Sequence, residues 1–81
     1  MMAEKDETFG FHVKDAANEL GLTPVTIRRY MGEFNLQTIY DAHGIKLLTA
    51  GAMKELREIR AMKEKGLSNP EVLKKLEETR V

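Results

Sequence analysis

Apolar residues recur along this chain at two spacings. Val13, Ala16, Ala17 and Leu20 lie three or four positions apart, which places them on one face of a helix over Val13–Leu20. Asp15 falls in its first turn, where the helix dipole favours an acid. Gly21 then ends it, because a glycine most easily adopts the left-handed backbone that closes a helix. Thr23 caps a second helix, with Pro24 at the first helical position, where no N–H is needed. Ile27 and Tyr30 point inward there, Val25 or Met31 sits at the margin, and Gly32 weakens the end. The "EFNLQ" that follows reads as a connection leading away. The spacing then becomes that of strands: Thr38 to Tyr40 and Ile45 to Leu48 are β-prone, and Asp41-Ala42-His43-Gly44 between them is turn chemistry. Thr49 caps a third helix to about Lys65, with Ala52, Met53, Leu56 and Ile59 as its stripe and Met62 drifting off. Ser68 and Glu71 have capping-box spacing, with Pro70 in the first turn of a fourth helix that runs to about Thr79 and turns Val72, Leu73 and Leu76 inward. Phe9 and Phe11 are expected to pack back onto the core.

Two short helices joined at "ELGLT" have the dimensions of a helix-turn-helix. Ala16, Leu20, Leu22, Ile27 and Tyr30 would lock them at a steep angle, and the small Ala17 suits their close approach. With Ile27 and Tyr30 inward, Arg28 and Arg29 must point out, and Thr23, Val25 and Thr26 lie at the helix start. In a helix-turn-helix that end enters the major groove of duplex DNA. Arginine forks clamp guanine edges or phosphates, threonine bonds phosphate, and Val25 suits a thymine methyl.

Length, charge and missing residue types narrow the picture. The 81 residues make one small domain, expected over residues 9–81 behind a polar tail, 1–8, which lacks the apolar stretch of a signal peptide. Thirteen basic and thirteen acidic residues cancel, which argues against an indiscriminate nucleic-acid coat but leaves room for a basic face. The chain has no cysteine, so thiol nucleophiles, disulfides and Cys-based zinc sites are excluded, and a reducing cytoplasm is the expected setting. No apolar run is long enough for a membrane. His12 and His43 are the only histidines and fall in different elements without metal-ligand spacing, so no metal or other cofactor is expected. No phosphate loop or catalytic order of nucleophile and base occurs, so no catalytic residue is assigned and an enzyme is not expected.

From Phe11 to about Leu76 the chain resembles the DNA-binding domain of the mercury-resistance regulator (MerR) family. "FHVKDAANELGLTPVTIRRY" is similar to that family's opening helix-turn-helix, "HGIKLLT" to its wing, and "LREIRAMKEKGLSNPEVLKKL" to its third and fourth helices. The resemblance implies a winged helix-turn-helix, a fold shared with the DNA-bending excisionases. It implies backbone contacts by Arg28 and Tyr30, a further match at Thr26, and Lys46 in the place of a wing arginine, with His43 and Gly44 at the wing tip. For Tyr30 two roles stand side by side, a core ring and a phosphate contact through its hydroxyl. Arg29 stands where an aromatic is common, Met31 replaces a frequent Glu, and Ile45 and Leu48 replace wing tyrosines. Family members normally continue into a dimerising helix and an effector domain, so "EETRV" ends either a freestanding module or part of a longer regulator; no small-molecule effector site is evident in it.

The expected function is sequence-specific binding of double-stranded DNA in transcription regulation, through Thr23, Val25, Thr26, Arg28, Arg29, Tyr30, His43, Gly44 and Lys46, with a homodimer or cooperative assembly on tandem sites. An excisionase-like architectural or DNA-anchoring factor and a winged-helix protein-interaction module are the alternatives. On the third helix, Glu55, Arg57, Glu58 and Arg60 are expected to pair along their own surface, and Lys63 and Lys65 are weighed as DNA-facing. Met31, Met53 and Met62 are assigned to the core rather than to a partner surface.

Overall fold

The computed structural model describes residues 10–80. The elements run α1 (Val13–Leu20), α2 (Pro24–Glu33), β1 (Thr38–Tyr40), β2 (Lys46–Leu48), α3 (Ala50–Glu64) and α4 (Asn69–Arg80). The expected tail over residues 1–8 and the packing of Phe9 lie outside the described residues. No helix among those described is long and apolar enough to cross a membrane.

Three helices end in the same way, and the reason is in the sequence. Gly21 takes φ 69° after α1, Asn35 φ 53° after α2 and Gly66 φ 92° after α3. In each case the next residue is a leucine whose N–H reaches back five positions: Leu22 to Ala17 at 2.9 Å, Leu36 to Met31 at 3.1 Å and Leu67 to Met62 at 3.1 Å. This is the Schellman closure, a left-handed residue followed by an apolar one that folds onto the helix just ended. Leu36 is buried, and Leu22 and Leu67 pack against the core. Starts are capped as the spacing predicts. Ala52 N–H donates to Thr49 Oγ1 at 3.1 Å, and Ser68 and Glu71 bond reciprocally, Ser68 N–H to Glu71 Oε1 at 2.8 Å and Glu71 N–H to Ser68 Oγ at 3.4 Å.

The strands pair antiparallel in the register Thr38↔Leu48, Ile39↔Leu47, Tyr40↔Lys46. Ile45, expected within the second strand, lies outside it and is half-exposed, because its N–H is drawn into the turn by Asp41 rather than into the ladder. Phe11 exchanges both backbone bonds with Leu48 at 2.8 Å, which fastens the start of the domain along the hairpin.

The core is apolar throughout, with Ile27, Phe34, Leu48, Met53, Leu56, Ile59, Val72 and Leu76 as its largest fully buried members. Phe34 corrects the reading of "EFNLQ" as a segment leading away. The left-handed Asn35 turns the chain back, so Phe34 and Leu36 both enter the interior. Met53 is buried and Met31 and Met62 pack on the core margin, as expected of them. The ion pairs differ from those read along α3. Arg57 reaches Glu19 of α1 at 2.7 Å and Glu55 reaches Arg80 of α4 at 2.8 Å, while Arg60 pairs within its helix with Glu64 at 3.3 Å.

Helix α4 is fastened at both ends to the end of α2. At its start, Asn69 donates to Glu33 Oε2 at 2.8 Å and accepts from Lys63 Nζ at 2.6 Å. At its end, Arg80 donates to both Glu55 carboxylate oxygens and, at 2.6 Å, to the carbonyl of Phe34.

Candidate nucleic-acid interface

The exposed start of α2 is organised by its cap. Thr26 N–H donates to Thr23 Oγ1 at 3.2 Å, and the Thr23 hydroxyl donates to Thr26 Oγ1 at 3.0 Å. Thr23 thus serves the cap, and its hydroxyl and that of Thr26 are held side by side. Val25, offered alternatively as a margin residue, stands 63% exposed beside them, and Met31 takes the margin.

Ile27 is fully buried, so the two positions after it turn to solvent. Arg28 and Arg29 are both exposed, and neither engages a carboxylate among the described residues. They diverge, however. Arg28 lines a groove of ≈ 640 Å³ between α2, the start of α1 and the hairpin, and Lys46 enters the same groove from β2. Arg29 is not among its lining residues. This follows from helix geometry, since adjacent positions are rotated by about 100°.

Tyr30 faces another way. Its ring lies 5.5 Å from that of Phe34, tilted by 59°, and it borders a smaller concavity of ≈ 280 Å³ with Leu22, Arg60 and Lys63. Tyr30 is half-buried, which accommodates both roles considered for it. Lys63, weighed above as DNA-facing, is half-buried with its ammonium held by Asn69, whereas Lys65 is exposed.

The wing tip is fixed by one carboxylate. Asp41 Oδ1 accepts from His43 N–H at 2.8 Å and from Ile45 N–H at 2.9 Å. The backbone adds Asp41 N–H to the Ile45 carbonyl at 2.9 Å and Gly44 N–H to the Asp41 carbonyl at 3.0 Å. These bonds, that from Ile45 foremost, hold the Asp41 carboxyl below its ordinary pKa. His43 and Gly44 are thereby displayed, exposed, at the tip.

Two residues of the groove escaped the reading of the chain. His12 and Lys14, at the start of α1, line it with Arg28 and Lys46. A signal for Lys14 was present: Val13 and Ala17 turn inward, so Lys14 must turn out. Only the tertiary arrangement shows that it turns toward α2 and the wing.

The sequence model of the MerR helix-turn-helix family of regulatory proteins matches residues 11–79. The chain belongs to the MerR family. Among solved structures, its fold is similar to the crystal structure of HiNmlR, a MerR family regulator lacking the sensor domain, bound to promoter DNA, with a TM-score of 0.70 at 23% identity. The match covers 85% of this chain and 56% of that one, so this MerR chain spans little more than half the length of the regulator it matches. Among curated proteins, none matches. The MerR fold, a mainly helical winged helix-turn-helix with a two-stranded antiparallel hairpin, is therefore the architecture that displays these side chains.

Proposed function

We propose that this chain binds double-stranded DNA as the reading module of a MerR-family transcription regulator. Helix α2 enters the major groove with Val25, Thr26 and Arg28 toward the bases and nearest phosphates, while Arg29 and the Tyr30 hydroxyl meet backbone on its flanks and Thr23 holds the helix start. The wing reaches adjacent backbone through Lys46 and the tip residues His43 and Gly44. The observation that carries this reading is that Arg28 on α2 and Lys46 on the wing, neither paired to a carboxylate among the described residues, wall one groove. The DNA-bound MerR relative of the same fold supports it.

A single small reader covers only about 600–1,000 Å² of DNA, so useful selectivity calls for two copies, as a homodimer or stacked on tandem sites. Selection of duplexes from a random pool, followed by footprinting, tests this directly. Paired half-sites should recur with centres about 10 base pairs, or a multiple, apart. On the selected duplex Arg28→Ala should weaken binding by about 1–3 kcal/mol, read by fluorescence anisotropy. Superimposable binding curves for the two proteins at low salt would remove Arg28 from the interface.

A further inference from the structure

The groove holds more cationic side chains than α2 and the wing supply. Lys14 enters it from the first turn of α1, and among the described residues no Asp or Glu lines the groove, in a chain in which nearly a third of residues are charged. Lys14 is exposed and has no ion-pair partner among the described residues. Its backbone is nevertheless held, because Phe11 is bonded along Leu48 of the hairpin and Ala16 and Ala17 are buried. Lys14, Arg28 and Lys46 thus come from three separate elements that meet at one concave surface, which His12, Met31 and Ile45 also line. Three ammonium and guanidinium groups with no carboxylate among them in the described residues cost electrostatic energy unless an anion lies between them.

We infer that this trough seats the phosphodiester backbone of one DNA strand where it passes between α2 and the wing, and that Lys14 is a phosphate-contacting residue of the interface. The inference rests on the proposed DNA binding. It adds a third element, α1, to the contact surface. A phosphate contact carries no sequence information of its own, so the expected signature is loss of affinity without loss of selectivity.

The test uses the full chain with two duplexes of equal length, one selected from a random pool and one of unrelated sequence. Binding is measured by anisotropy from about 50 to 200 mM salt. Lys14→Gln is compared with wild type and with Lys74→Gln, which removes an equal charge from an exposed position on α4 outside the groove. Lys14→Gln should weaken binding about five-fold on both duplexes and lower the slope of log affinity against log salt by about one. Lys74→Gln should do markedly less. If wild type binds and Lys14→Gln leaves affinity and slope unchanged, or if Lys74→Gln matches its loss, the assignment of Lys14 falls while DNA binding stands. A loss confined to the selected duplex also overturns it, because that is the behaviour of a base contact. Failure of wild type to bind either duplex at 50 mM salt overturns DNA binding itself and the inference with it.

Discussion

At the scale of single residues, small groups matter here for the space they leave. Gly10 lies against the hairpin, and a Cβ placed on it would stand 2.7 Å from Leu47 Cβ and 3.1 Å from Leu47 Cδ1. The first of these atoms is fixed to the backbone and cannot rotate away. Gly10→Ala must therefore push the entering strand off the hairpin and strain the Phe11–Leu48 bonds. The expected cost is about 1–3 kcal/mol, and each kcal/mol lowers the thermal midpoint of a domain this size by about 4–8 °C. An unchanged midpoint in a melting experiment would show that the approach is looser than described. Gly21 serves a different need, since open space surrounds its Cβ position and its left-handed φ is what a side chain would resist.

At the scale of elements, the wing tip depends on one ionised group. The Asp41 pKa is lowered in the folded protein, so its contribution is fully present above the ordinary carboxylate value of about 4 and is lost as pH falls through the lower folded value. The carboxylate-linked shift of the His43 and Ile45 amide resonances should therefore appear only below about pH 4. In Asp41→Asn they should not follow that titration. A midpoint above the ordinary value in wild type would contradict the bonding described. The same scale shows what could be read from the chain. Gly21, with the capping threonines and Ser68-Glu71, marked helix ends to within a residue or two. Asn35-Leu36 does the same work, but asparagine enters the left-handed region less routinely than glycine, and the following strand obscures the helical period. The sequence pattern therefore does not place Phe34 in the core. Lys14 and the Arg57–Glu19 pair were illegible for another reason: each needs two elements placed in space, and local spacing cannot supply that.

At the scale of the whole molecule, α4 is fastened to α2 through groups distant in sequence. Arg80 holds Glu55 through two bonds, and the pair is less than a third exposed, whereas Arg57 and Glu19 are about half exposed. Arg80 also satisfies the Phe34 carbonyl. The Glu55 hydrogen bonds raise the Arg80 pKa further, so the guanidinium stays charged throughout the accessible pH range. Arg80→Met should lower stability by roughly 1 kcal/mol or more, and Arg57→Met by only about 0.2–1 kcal/mol. Parallel thermal melts check the order, and equal losses would mean that the link to α2 adds nothing.

The formal charges of the chain sum to zero, yet among the described residues the trough is lined by cations and by no carboxylate, so it offers a positive face. Far from a polyanion the molecule feels little net pull. Within a Debye length, about 10 Å at ordinary ionic strength, it feels a torque that swings the trough toward the negative surface. Under the proposed DNA binding, encounter depends on orientation more than on net attraction, so added salt should accelerate departure from DNA more than it slows arrival.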